Sequence, residues 1–312
     1  MAEGNHLTQY EAAAKKRLRV SAFLIVFVMP LTVLLSYRLL GDRMYMTVSV
    51  LLLVLTMAPF FMVFEKRKPK AREIVLIGMM SAITVAVHTV FHIILPIQIG
   101  TAMVIVSGIS LGPEAGFLIG ALARLICNFY MGQGPWTPWQ MFCWGVLGFL
   151  AGLIFNKGDD ETLKSRNFKV VMGPVVAMIL SLLVGYISYI LWPNGETTFF
   201  GWRVYAFGLI GLIAGVLLQR KKLPADSLTM AAATFFMSFV IYGGIMNIST
   251  LINSANMPGA SEISVTGIKL LYIAGVPYDL FHGLSAAVCI FFFGDSIIKK
   301  LERIKIKYGI YK

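Results

Sequence analysis

The chain has 312 residues, of which 58% are apolar and only 13% charged, where a soluble domain carries roughly a quarter charged residues. This excludes an ordinary soluble enzyme, and at about 20 apolar residues per bilayer-spanning helix it leaves room for roughly ten spans with loops. The formal charge of +12, from 27 basic and 15 acidic residues, would suggest nucleic acid as the partner of a soluble protein. In a membrane protein it is first tested against orientation, and no nucleic-acid partner is expected. The three cysteines, Cys127, Cys143 and Cys289, sit in apolar runs without CxxC spacing and read as packing residues.

In chain order, apolar runs predict spans at about 19–39, 44–64, 74–95, 99–111, 114–131, 139–156, 169–192, 203–219, 228–250 and 276–297. The first follows a polar, basic start, has no small-residue cleavage pattern and leads straight into another span, so it reads as an uncleaved helix. With a cytoplasmic N-terminus, 22 of the 27 basic residues fall in cytoplasmic segments. That bias predicts an all-α, polytopic helical bundle of about ten transmembrane helices with both termini cytoplasmic. The run at 99–111 is short for a span and, with 114–131, could instead form a re-entrant hairpin.

Two parts are expected. Residues 1–70 hold a cytoplasmic tail and two plain apolar spans and end in the basic linker that continues to Arg72; they read as an accessory anchor. Residues 71–312 are richer in Gly, Ala and polar side chains, the composition that lets helix backbones approach closely in lipid. Within this core, residues 144–154 and 207–217 echo one another, with Gly145, Gly148, Ala151 and Gly152 matching Gly208, Gly211, Ala214 and Gly215. A duplicated helix unit and two convergent packing faces explain the echo equally well.

All five tryptophans, Trp136, Trp139, Trp144, Trp192 and Trp202, map to the outer half of this topology. Interfacial belts occur at both membrane faces, so a one-sided set points to a cavity open to the outside. The loop at 131–141 concentrates the signal. Gly132, Gly134, Pro135 and Pro138 fix a turn, Trp136 and Trp139 offer flat apolar faces, and Gln133, Thr137 and Gln140 offer hydrogen bonds to a neutral or planar organic ligand. Trp144 lies one turn further along.

Ionisable groups at membrane depth are His88, His92, Arg124, Asp279 and His282, each a site candidate because such groups are costly in lipid. His88 and His92, and Asp279 and His282, share helix faces, but nothing completes a metal set and neither metal nor cofactor is expected. Arg124 needs an anionic partner, for which Asp279 is the candidate. Glu114, next to Pro113, reads as a helix-start carboxylate. No ATP-hydrolysing, zinc-protease or serine-hydrolase signature is read from the chain, so uphill transport would draw on partner subunits or an ion gradient.

Three stretches carry a family resemblance: residues 72–87, residues 108–155 with their Gly-Pro-Trp loop, and residues 276–288 with the basic tail that follows. The chain here resembles the substrate-binding membrane subunit, or S component, of energy-coupling factor (ECF) transporters, the vitamin importers of bacteria and archaea. The resemblance implies a multi-pass cell-membrane protein, not an enzyme, that captures a vitamin or related micronutrient from outside. It also implies a transmembrane coupling subunit and two cytoplasmic ATPases as partners. Gly78, Ala82 and Ala86 fit the family's small-residue stripe toward the coupling subunit. The expected substrate site is Gln133, Trp136, Thr137, Trp139, Gln140, Trp144, Asp279 and His282. A core with more spans than the family usually has would suit a bulky ligand, for which a cobalamin-like corrinoid is the expectation.

Two other classes compete. A multi-span signal receptor would need a partner for its output, since the chain ends soon after its last span. An intramembrane enzyme would require His88, His92, Asp279 and His282 to converge.

Overall fold

Every regular element among the described residues is helical. The computed structural model describes residues 71–94, 97–155, 172–218, 226–255 and 263–309, together with Val54 and Met57. The chain divides into two compact units, Met1–Pro69 and Lys70–Lys312. The span expected at 19–39, and that at 44–64 apart from Val54 and Met57, lie outside the described residues, as do the basic stretches at 157–169 and 220–222.

Among the described residues, the second unit holds eight helical rods: α1 (Ala71–Ile94), α2 (Ile99–Leu111), α3 (Pro113–Met131), α4 (Thr137–Phe155), α5 (Met172–Leu191), α6 (Trp202–Leu218), α7 (Ser227–Ala255) and α8 (Val265–Tyr308). Five of these, α1, α3, α4, α7 and α8, contain stretches long and apolar enough to cross a membrane; α2, α5 and α6 contribute shorter apolar helices. Pro113 opens α3 with Glu114 in its first turn, as the sequence predicts.

Helix α2 explains the ambiguity of the short run at 99–111. Its 13 residues reach only about 20 Å, yet every residue from Gly100 to Leu111 is buried. The chain reverses at Gly112, whose φ of 98° suits glycine, directly into Pro113. The end of α8 covers what α2 does not reach. Ile298 and Leu301 are buried, and the Lys305 ammonium donates to the Ser110 carbonyl at 2.8 Å, a cation on a helix C-terminus. Arg72 at the start of α1 donates to the Tyr308 carbonyl at 2.8 Å and closes the same end of the bundle.

Helix α8 is the largest departure from the expected spans. The sequence places its span at 276–297, but the helix runs from a Ser264 N-cap to the left-handed Gly309. Pro277 suggests a helix start, yet it lies inside the helix; membrane helices tolerate this because neighbouring groups satisfy the freed carbonyl. The basic tail continues as the final turns, with Ile298 and Leu301 inward and Lys299 and Lys300 outward.

Glycine-to-backbone contacts join α2, α3 and α4. A β-carbon on Gly116 would lie 2.6 Å from the Gly108 Cα and from the Gly148 carbonyl, and one on Gly152 would lie 2.6 Å from the Pro113 Cα. In lipid, where the hydrophobic effect offers little drive for helix association, such approach supplies the packing. The echoed segment in α6 works similarly, with Gly211 against Met178 and Ser181 of α5 and Gly208 against Val240 of α7. Both echoed stretches are therefore close-packing faces.

Between α5 and α6, Asn194 and Gly195 take positive φ values of 47° and 75°, and the Glu196 amide closes the turn on the Pro193 carbonyl at 2.8 Å. The turn aims Glu196 at Arg203 (2.8 Å), the Trp202 indole N–H (2.8 Å) and Lys269 of α8 (3.4 Å). Burial raises the pKa of this carboxyl, but the hydrogen bonds from Trp202 and Arg203 and the arginine charge outweigh it, and the group is held below its ordinary value. Its charge thus contributes stability that is full above the ordinary carboxylate range and is lost as pH falls through the lowered pKa. Glu196→Gln is expected to lower the melting temperature at pH 7, with the gap to the parent protein closing below about pH 4. A gap of equal size at every pH would show that the clamp does not depend on the charge.

Candidate ligand-binding site

The packed glycines position a polar cluster at the other end of the α3/α4 pair. Along α3, Gly116, Gly120, Arg124 and Asn128 recur at four-residue spacing and share one face. The two glycines meet the α4 backbone at Gly148 and Trp144, and Arg124 and Asn128 carry the face onward. On α4, Thr137, Gln140 and Trp144 form the facing stripe. The Gln140 Oε1 accepts from Arg124 Nε at 3.0 Å, Arg124 Nη2 at 2.9 Å and Asn128 Nδ2 at 2.9 Å, while Thr137 Oγ1 accepts from Asn128 at 3.1 Å.

His88 of α1 completes this cluster. Its Nε2 lies 3.2 Å from Arg124 Nη1. A guanidinium only donates, so Nε2 is the acceptor and the proton sits on Nδ1, which has no partner. Trp144 packs edge-on against His88 with centroids 4.9 Å apart, and the Arg124 guanidinium lies 5.2 Å from its ring centre. The indole N–H groups of Trp139 and Trp144 are likewise buried without a partner. Buried polar groups are normally hydrogen-bonded, so the His88 Nδ1–H and the Trp144 N–H beside Arg124 are two unserved donors in the cluster.

A second cluster forms where α6, α7 and α8 meet. Asp279, 3% exposed, accepts from the Tyr205 hydroxyl at 2.5 Å and from Asn247 at 3.0 Å. A π-helical turn in α7, Met237–Gly243, brings Gly243 against the Asp279 carboxylate; such turns are frequent at functional sites. His282, one turn along α8, lies 3.0 Å from Thr101 of α2, and its ring is tilted against that of Tyr242 with centroids 4.2 Å apart.

The structure corrects the expected Arg124–Asp279 pair. Among the described residues neither forms an ion pair, and each bonds to neutral groups instead. Of the expected site residues, Thr137, Gln140 and Trp144 join the Arg124 cluster, Asp279 and His282 the second, and Trp139 is 1% exposed in the core. Gln133 is exposed, and Trp136 is 41% exposed with its ring over Gly134, whose N–H donates to Thr137 Oγ1 at 3.2 Å and ties the loop to the Arg124 cluster. Asn128, Thr101, Tyr205, Tyr242 and Asn247 were missed. The four-residue step from Arg124 to Asn128 is a signal that could have found one of them.

The rings of His88 and His92 lie 5.1 Å apart, and His282 lies within electrostatic reach of His88, so the convergence expected of an intramembrane enzyme is partly present. However, no histidine is bonded to a carboxylate, and no three His, Cys, Asp or Glu side chains could hold a metal, among the described residues. The serine-hydrolase reading needs a correction: Gly108-Ile109-Ser110-Leu111-Gly112 does fit GxSxG, which the sequence reading passed over. Ser110 lies at the C-terminal end of a helix and not on a strand-to-helix elbow, so the motif lacks its catalytic context.

Gly78, Ala82 and Ala86 lie together on an exposed face of α1, and a β-carbon on Gly78 would meet nothing within 4 Å.

Helices long and apolar enough to cross a membrane thus enclose a buried arginine, a buried carboxylate and indole N–H groups without partners. Residues 68–196 match the family model of the S component of ECF-type riboflavin transporters, and over that stretch the chain is similar to these transport subunits. The match spans α1 to α5 and includes His88, Arg124, Gln140, Trp144 and the α1 stripe; Tyr205, Asn247, Asp279 and His282 lie beyond it. No solved structure matches the chain.

Proposed function

We propose that the chain is the vitamin-capture subunit of an ECF-type importer and that its substrate is riboflavin. The observation that carries this reading is the coincidence of the riboflavin S-component match with the helices that hold Arg124, Gln140 and Trp144. A flavin ring is flat, which suits Trp144, and its pyrimidine edge is rich in acceptors, which suits Arg124 and the orphaned donors. The corrinoid expectation is set aside because the matching family is named for riboflavin.

In this reading residues 71–312 form the capture core and residues 1–70 an accessory anchor. The chain spans the cell membrane about ten times with both ends cytoplasmic. Thr137, Gln140, Trp144, Asp279 and His282 contact the substrate, Trp139 supports them from the core, and Gln133 and Trp136 flank the entrance. The open stripe of Gly78, Ala82 and Ala86 supports docking of a coupling subunit, which links the chain to two ATPases.

The test is uptake of labelled riboflavin by cells that lack their own uptake system and express this chain with or without the coupling subunit and ATPases. Uptake requires all partners and is competed by unlabelled riboflavin and not by cobalamin; competition by cobalamin alone would restore the corrinoid reading. Ala82→Leu is expected to leave binding within twofold and to reduce uptake at least tenfold. Parallel loss of binding and uptake would remove α1 from the coupling interface.

A further inference from the structure

The two polar clusters are parts of one seam. Gln140 and His88 hold Arg124, and a β-carbon on Gly100 would lie 2.6 Å from the Trp144 ring and 2.8 Å from the His88 ring. Thr101, the next residue of α2, meets His282, whose ring packs against Tyr242. Beside Tyr242, Gly243 lies against Asp279. The seam has opposite chemistry at its two ends. Arg124 and the unpartnered His88 Nδ1–H and Trp144 N–H present donors at one. At the other Asp279 accepts. Tyr205 and Asn247 both reach its Oδ2, and among the described residues no donor reaches Oδ1.

Among the described residues Asp279 has one oxygen without a donor and no cation beside it, and Arg124 has no anion; both arrangements are costly at membrane depth. Each charge could have neutralised the other, yet among the described residues each is held by neutral groups instead. We propose that Asp279, Asn247 and Tyr205 form a second subsite that reads the hydrogen-bond donors of the substrate's hydroxylated arm, opposite the acceptor-reading end at Arg124. The inference rests on the riboflavin reading and fixes the orientation of the bound vitamin. The pyrimidine edge of the ring faces Arg124 and Trp144, and the ribityl hydroxyls donate to Asp279.

The experiment compares riboflavin with lumiflavin, which keeps the ring and has a methyl group in place of the ribityl chain, on the full-length purified protein and on Asp279→Asn. The amide leaves one oxygen for Tyr205 and Asn247 and turns a donor toward the place where the carboxylate accepted. The parent protein binds riboflavin more tightly than lumiflavin. Asp279→Asn weakens riboflavin by roughly tenfold or more, as for a lost hydrogen bond to a charged group, and changes lumiflavin by less than twofold, which also reports that the variant is folded. Asn247→Ala, which removes a donor that orients the carboxylate, shifts riboflavin in the same direction by a smaller factor. Equal affinity of the parent for both flavins, or equal loss of both in Asp279→Asn, overturns the subsite while leaving the riboflavin reading in place. Failure of folded parent protein to bind either flavin overturns that reading, and the subsite with it.

Discussion

Arg124→Ala is expected to reduce riboflavin affinity by about a hundredfold, the largest effect of any single side-chain truncation in the chain. Arg124 donates to Gln140 through two nitrogens and to His88 through a third, and its charge has no carboxylate partner among the described residues. Hydrogen bonds from a charged donor are worth about 1.5–3 kcal/mol each, and loss of the guanidinium also frees Gln140 and His88 from their fixed orientations. Arg124→Lys is expected to recover only part of the loss, because an ammonium keeps the charge and lacks the planar fork that holds Gln140. Calorimetric titration of both variants checks this; full affinity in Arg124→Lys would mean that charge alone is read, and full affinity in Arg124→Ala would take Arg124 out of the site.

The second large effect concerns the scaffold. Gly148→Leu is expected to destabilise the protein by about 3 kcal/mol or more, at the upper end for overpacked sites. A β-carbon there meets the backbone carbonyl group of Gly116, and the nearest atoms are main chain that no rotamer change can move aside. Helices α3 and α4 must then separate, and with them Arg124 and Asn128 from Gln140. Gly78→Leu is the control, since its β-carbon enters open space. Thermal unfolding in detergent should show a drop of many degrees for Gly148→Leu and nearly none for Gly78→Leu. Comparable shifts would mean that the close helix contact contributes little.

Much of the fold was legible because lipid imposes a simple rule: backbone groups must be satisfied within each segment, so long apolar runs read as helices. The eight core runs correspond to eight helical rods among the described residues, and the short run at 99–111 coincides with α2. What failed was the extent of α8. Pro277 has the local signature of a helix start, and only the surrounding bundle lets the helix pass through it; the amphipathic tail becomes its last turns because α2 leaves a space for Ile298 and Leu301. The site was legible as a list and not as an arrangement. Depth in the membrane singled out Arg124, Asp279 and His282, but sequence spacing on separate helices carries no information on which charges meet. Opposite charge suggested a pair, whereas the folded chain gives each its own neutral ligands. Loop composition pointed to Gln133, Trp136, Thr137, Trp139 and Gln140 together, because Gly, Pro and Trp side by side are conspicuous; the contacts with Arg124 and Asn128 come from Thr137, Gln140 and Trp144, whose three- and four-residue steps put them on one face of α4.

The most direct test of riboflavin capture is an equilibrium titration of the detergent-purified chain with riboflavin, followed by quenching of flavin fluorescence and repeated by calorimetry. Saturable binding at one site per chain, at nanomolar to low micromolar dissociation constants or roughly −12 to −8 kcal/mol, is the expected result. A flat titration from folded protein, or saturable binding of a corrinoid in place of riboflavin, would contradict it.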